Sequence, residues 1–90
     1  MSPFAKRVYR IVSRIPLGQT RTYKWVAEQA GNPKAARAVG QLMKNNPYPI
    51  IIPCHRVVAS GGKLGGYAYG LKAKRSLLGL EAAISEALAR

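Results

Sequence analysis

The chain has one cysteine and one histidine, and they are neighbours: Cys54 and His55, in the run Ile50-Ile51-Ile52-Pro53-Cys54-His55-Arg56-Val57-Val58. That pair removes both staples on which very small domains lean. One thiol closes no disulfide within the chain, and one Cys with one His is too few for a structural zinc site. The 90 residues must therefore form one domain held by apolar packing, near the small end of what folds unaided. A hydrophobic content of 48% is ample for such a core and argues against disorder.

The same pair is a candidate for chemistry at sulfur. A lone cysteine can instead be a buried small hydrophobe. Its neighbours weigh against that reading, because Pro53 stops strand pairing and His55 and Arg56 are polar. Charge points to the class of partner. There are 15 Lys and Arg against 3 acids, a formal charge of +12. An excess of this size repels itself in the folded state and suits a polyanionic partner, nucleic acid or an anionic membrane surface. The basic residues are scattered from Lys6 to Arg90 and form no tail, as on a folded surface that tracks phosphates. A thermophile's charged surface is the bland alternative. No apolar run reaches the roughly 18 residues of a membrane span. The start, Met1-Ser2-Pro3-Phe4-Ala5-Lys6-Arg7, lacks a signal peptide's apolar region. A cytosolic protein with a reduced thiol is expected.

Phe4, Val8, Ile11, Val12 and Ile15 recur at helical spacing opposite Lys6, Arg7, Arg10 and Arg14, predicting an amphipathic helix ended by Pro16-Leu17-Gly18. Thr22 caps a second helix to about Gln29, which Gly31 stops. Asn32-Pro33 opens a third, about Lys34 to Lys44. The last two have helix-turn-helix spacing. The recognition helix would carry Lys34-Ala35-Ala36-Arg37-Ala38-Val39-Gly40-Gln41. Its small side chains suit either close approach to a DNA groove or tight packing in a core. After the stiff connector Asn45-Asn46-Pro47-Tyr48-Pro49, Ile50 to Ile52 and Arg56 to Ala59 read as short strands, with a tight turn at Ser60-Gly61-Gly62. Leu71, Leu77, Leu78, Leu80, Ile84 and Leu88 suggest one or two closing helices. The expected architecture is α+β, mostly helical, winged-helix-like, with short strands carrying the cysteine.

Arg37-Ala38-Val39-Gly40, followed by Asn46-Pro-x-Pro-x-x-x-Pro-Cys-His-Arg-Val, resembles the C-terminal catalytic domain of the 6-O-alkylguanine-DNA alkyltransferases, from about Phe4 to Glu81. The resemblance implies a DNA-repair transfer in which the cysteine takes an alkyl group from the guanine oxygen of a nucleotide flipped out through the minor groove. By it, Cys54 is the acceptor, His55 the base acting through a water, and Glu81 the carboxylate that orients the imidazole. An imidazole held by a carboxylate activates a thiol as thiolate. Adjacent side chains on an extended strand point apart, so the backbone must bend at Pro53 for Cys54 and His55 to cooperate. Glu81 could equally be an ordinary helix-surface acid.

By the same resemblance Arg37 takes the place of the flipped nucleotide, and Lys34, Ala35, Ala36, Ala38 and Gly40 share its DNA-binding surface. A simple phosphate contact is the plainer role for Arg37. Tyr23 crowds the flipped nucleotide's phosphate, unless it is a core aromatic. Asn46 is a hinge that bonds to backbone. Tyr67 donates to the guanine, and Lys74 supports that donation. Pro49, Leu64, Gly65, Ala68 and Tyr69 complete the pocket, where bulky Tyr69 is expected to narrow the space and disfavour benzyl relative to methyl adducts.

A thioether is not exchanged by thiols as a disulfide is, and there is no second cysteine. Each molecule is therefore expected to act once, as a monomer, with no metal or organic cofactor and no membrane partner. Larger members carry an N-terminal α/β domain, and the chain reads as the single DNA-binding alkyltransferase domain, residues 1–90, without it. The partner implied is double-stranded DNA with alkylated guanine, in the cytoplasm and associated with the nucleoid. Three readings compete: an alkyltransferase-like protein that senses damage and recruits excision-repair proteins without transfer, a winged-helix regulator, and a thiol hydrolase. Retention of Cys54 disfavours the first. Scarcity of base-edge readers disfavours the second, and the +12 charge disfavours the third.

Overall fold

The computed structural model describes all 90 residues. Helix α1 is Pro3–Val12, with Pro3 in its first turn and the Ser2 side chain accepting from Ala5 N at 3.1 Å. Its buried face is Ala5, Val8, Tyr9 and Val12. The apolar spacing continues to Ile15, which is buried, but the helix proper stops at Val12. Pro16 disfavours helical geometry in the residue before it, and the segment closes with turn bonds from Arg14 N to Ile11 O and Ile15 N to Val12 O.

Strand β1 (Arg21–Thr22) leads directly into α2 (Tyr23–Gln29), where Thr22 Oγ1 accepts from Trp25 N at 3.0 Å. Gly31, at φ +90°, ends the helix as expected. Helix α3 is Ala36–Lys44 and starts two residues later than Asn32-Pro33 predicted. Asn32 spends its capping capacity on a separate turn: its Oδ1 accepts from Lys34 N and its carbonyl from Ala35 N. Helices α2 and α3 pack against each other as a helix-turn-helix.

The expected strand over Ile50 to Ile52 is absent. Three prolines, Pro47, Pro49 and Pro53, remove ladder donors there, leaving one isolated bridge between Pro49 and Ile52. Cys54–Arg56 is a 3-10 turn, and strand β2 is only Val57–Val58. The pairing of β2 with β1 is parallel, Arg21 opposite Val57 and Thr22 opposite Val58, a long-range contact with no local sequence signal. Helix α4 is one continuous element, Leu71–Ala89, through Gly79.

The core joins α1, α2 and α3 to the active-site segment through Val8, Val12, Ile15, Val26, Ala27, Val39, Met43, Cys54 and Val57. Each fully buried valine adds about 1.5–3 kcal/mol. Leu80, Ile84 and Leu88 of α4 are exposed. The helical spacing there was legible, but α4 joins the body through other residues, Lys74 and Glu81. No helix is long and apolar enough to cross a membrane.

Candidate active site

Pro53 at φ −78°, ψ 66° turns the chain into the 3-10 segment. Cys54 N donates to Ile52 O at 2.7 Å and Arg56 N to Pro53 O at 2.9 Å. With about three residues per turn, Cys54 and His55 no longer face opposite sides as on a strand. Both are almost wholly buried, at 1% exposure. This is the bend that the strand geometry required.

Glu81 reaches the site from α4. Its Oε2 lies 2.9 Å from His55 Nε2. The approach is oblique to the ring N–H, short of a well-formed hydrogen bond. Nδ1 of His55 is buried and contacts no protein donor or acceptor. The surface-acid reading of Glu81 is thereby excluded.

Arg56 is the partner that sequence reasoning missed. Its Nε donates to Glu81 Oε1 at 2.9 Å and its Nη2 to Oε2 at 2.7 Å, while Nη1 donates to Ile15 O at 2.8 Å. The bonds from Arg56 are the chief reason that the Glu81 carboxyl is held below its ordinary pKa, with His55 adding to the effect and burial opposing it. Two planar groups matched in a fork fix the carboxylate that faces His55. The signal available was position alone, an Arg directly after the Cys-His pair.

Around the thiol stand Tyr9, Tyr23, Tyr67 and Lys74. Burial raises the pKa of all three phenols, and negative charge on Cys54 raises them further. All three therefore keep their protons at neutral pH. Tyr9, also missed, donates to Leu42 O at 2.8 Å and ties α1 to the end of the recognition helix. The Tyr67 ring meets His55 edge-on at 6.2 Å and Tyr69 at 5.7 Å.

Lys74 is fully buried. Its ammonium donates to Val57 O at 2.7 Å, Gly66 O at 2.9 Å and Tyr23 Oη at 3.3 Å. Desolvation lowers its pKa to about 8, partly offset by Cys54. The expected support runs to Tyr23 and the loop carbonyl; Tyr67 is not among its hydrogen-bond partners. Tyr23 in turn donates to Gly66 O. Gly65 sits at φ +71°, and a Cβ there would lie 2.5 Å from Tyr23 Oη. Only glycine lets this loop cross the tyrosine.

Asn46 makes the expected side-chain bonds to backbone: Oδ1 accepts from Tyr48 N and Nδ2 donates to Ile52 O, both at 2.9 Å. It joins the end of α3 to the active-site turn. On α3, Arg37 and Ala38 are exposed, and Lys34 precedes them on the surface, while Val39 and Met43 are buried. Ala35, Ala36 and Gly40 are half-buried. A Cβ on Gly40 would meet no atom within 4 Å. Packing does not require this glycine, whereas Ala35 packs against the core, so the small residues of this segment serve both its outer and its inner face.

A cavity of about 460 Å³ opens beside Tyr67, lined by Pro49, Ile50, Tyr67, Tyr69, Ala73, Ser76 and Leu77. Pro49, Tyr67 and Tyr69 of the expected pocket line it. Tyr23, Leu64, Gly65, Ala68 and Lys74 do not; Tyr23, Gly65 and Lys74 instead form the neighbouring Lys74 cluster. Tyr69 is 63% exposed and borders the space without filling it.

The family described as 6-O-methylguanine DNA methyltransferase, DNA binding domain, matches residues 3–83. A methylated-DNA–protein-cysteine methyltransferase of Mycolicibacterium paratuberculosis is 52% identical over 80 residues, 89% of this chain and 48% of that protein. One of Methanosarcina acetivorans is 54% identical over 78 residues, 87% of this chain and 50% of that protein. The chain thus spans about half the length of the curated relatives it matches. Among solved structures, Mycobacterium tuberculosis OGT in complex with DNA superposes with a TM-score of 0.89 at 48% identity, covering 92% of this chain and 52% of that one. S. pombe Atl1 in complex with damaged DNA containing O6-carboxymethylguanine gives 0.80 at 36% identity, covering 90% of this chain and 77% of that one.

Proposed function

The chain belongs to the 6-O-methylguanine DNA methyltransferase family, and from that premise we propose that it repairs DNA by moving an alkyl group from the 6-oxygen of guanine to Cys54, once per molecule. The observation that carries the reading is the buried Cys54-His55 turn, with Nε2 of His55 2.9 Å from the Glu81 carboxylate. It lies behind a basic helix-turn-helix.

The basic surface holds the phosphates, and the small residues of α3 let its backbone approach the groove. Arg37 replaces the extruded nucleotide, its planar guanidinium suited to stacking on bases. Extrusion is required because an oxygen within the base stack is out of reach of a buried thiol. Asn46 couples the end of α3 to the turn that bears Cys54, and Tyr23 bounds the path of the flipped nucleotide.

In the reaction, the thiol proton passes to His55 through a water, and Glu81, held by Arg56, stabilises the imidazolium. The sulfur attacks the alkyl carbon. A carbon–sulfur bond forms, the carbon–oxygen bond breaks, and its electron pair stays on the guanine. Tyr67, kept protonated by its surroundings, donates a hydrogen bond to the base as that charge develops. The one proton lost by the thiol then passes from the imidazolium through solvent to the guanine nitrogen, leaving neutral guanine, His55 and Tyr67. All these groups lie between Tyr23 and Glu81, so the reading places the whole reaction in this one domain.

Intact mass after mixing with a duplex that carries one methylated guanine tests the proposal. The expected result is a gain of one methyl, never more, and none in Cys54→Ser. An unchanged mass despite preference for the lesion duplex would instead make the chain a damage-sensing protein that acts without transfer.

A further inference from the structure

The turn that precedes the cysteine is closed twice over. Ile52 N donates to Tyr48 O at 2.8 Å, and Asn46 bonds to both of its ends. At its apex Ile50 has φ +75°, and every other positive-φ residue in the chain is glycine. A β-branched residue is among the least tolerant of this conformation, because its Cβ substituents crowd the backbone. Glycine would fill the position without strain.

Core packing does not explain the isoleucine, since Ile50 is 69% exposed. Ile50 does line the 460 Å³ cavity, next to Pro49 and together with Ala73, Ser76 and Leu77 of α4. Tyr67 belongs both to that cavity and to the edge-on contact with His55, so the cavity adjoins the reacting centre. Strain maintained by its surroundings with no return in core packing marks a functional position. The adjacent Ile51 is 79% exposed and lies outside the cavity, so exposure and chemistry alone do not distinguish the two residues.

We propose that Ile50 is a specificity-determining residue: the strained turn holds its side chain as an apolar wall on which the substituent of the guanine oxygen packs, favouring large apolar substituents over methyl. The inference rests on the alkyl-transfer reading above. Ala73 and Ser76 are small and leave room for such a group, and the Tyr67–Tyr69 pair offers it an aromatic edge. A methyl group is too short to use this wall, so Ile50 acts on the difference between substrates.

The test is the ratio of affinities for duplexes carrying 6-O-benzylguanine and 6-O-methylguanine, measured in a Cys54→Ser background where nothing is transferred. Ile50→Gly should lower the benzyl-over-methyl ratio about tenfold, the scale expected from losing one branched aliphatic contact. It should also raise the melting temperature as strain is relieved. Ile51→Gly should leave the ratio as it is. An unchanged ratio in Ile50→Gly overturns the proposal, as does a loss equal to that in Ile51→Gly. Absence of transfer by the unsubstituted protein would overturn the alkyl-transfer reading instead, and the binding ratio would still decide the role of Ile50.

Discussion

Arg56 grips Glu81 with Nε and Nη2 at 2.9 and 2.7 Å, and Glu81 in turn faces the imidazole of the residue that precedes Arg56. The acid that orients His55 is thus itself oriented by the next residue along the chain. The third donor of Arg56 fastens the assembly to Ile15 O at the end of the α1 region.

Arg56→Lys keeps the charge but loses the fork. Single-turnover transfer should slow about 10- to 100-fold, the usual effect of removing an outer partner that aims an active group. Affinity for lesion DNA should change much less. Arg56→Ala should in addition destabilise the fold by roughly 3 kcal/mol, because it leaves a largely buried carboxylate with only the oblique approach of His55. Equal losses of rate and affinity in Arg56→Lys would contradict a positioning role.

Acid should act through Glu81. Its pKa is lowered in the folded protein from the ordinary 4.5 of a glutamate, so the unfolded chain takes up its proton first as pH falls. The stabilisation is complete at pH values above the unfolded pKa and is lost as pH drops through the folded one. In urea titrations the gap between the unsubstituted protein and Glu81→Gln should be widest near neutrality and close below about pH 4.5.

Lys74 is shifted in the same direction, but its lowered pKa marks a penalty on the charged form and not a stabilisation of it. Its pKa is lowered from 10.5 to about 8, so below pH 8 folding must bury a full charge. Between those values the native state holds fewer protons than the unfolded one, and the contribution of this group to stability rises with pH. Relative to Lys74→Met, the protein should gain up to roughly 3 kcal/mol between pH 8 and 10.5. A flat difference in denaturant midpoints would show that Lys74 titrates normally.

Gly65→Ala should be severe for a single methyl. The added carbon would lie 2.5 Å from Tyr23 Oη, on a backbone at φ +71°. The loop must lift or Tyr23 must leave its bonds with Lys74 and Gly66. Roughly 2–4 kcal/mol of stability should go, together with most of the transfer rate, read by thermal melting and intact mass.

Gly40→Ala should separate stability from function. Nothing stands within 4 Å of the new Cβ, and alanine favours a helix interior by about 1 kcal/mol. The melting temperature should therefore rise. Affinity for plain duplex DNA should fall all the same, if the α3 surface is the face laid against the groove. A gain in both would return the small residues of α3 to a packing role.

The sequence by itself determined the parts of this protein that are local. Helix α1 and its buried face follow from apolar spacing with Ser2 and Pro3. Helix α2 follows from the Thr22 cap and the stop at Gly31, and the bend at Cys54 from Pro53. Asn46 was readable as a backbone-bonding hinge because Asx side chains reach only a few residues along the chain. Tertiary structure alone decided what joins distant segments. The parallel pairing of Arg21 with Val57, the grip of Arg56 on Glu81 across 25 positions, and the choice of Tyr23 over Tyr67 as the phenol bonded by Lys74 leave no local pattern. Each arises from long side chains or short strands whose partners are brought within reach only when the core closes around Val26, Val39 and Val57. A hydrogen bond at 2.7 Å tolerates displacements of a few tenths of an ångström. Which donor meets which acceptor is therefore set by how α4 docks, and the spacing of its own residues records only that it is a helix.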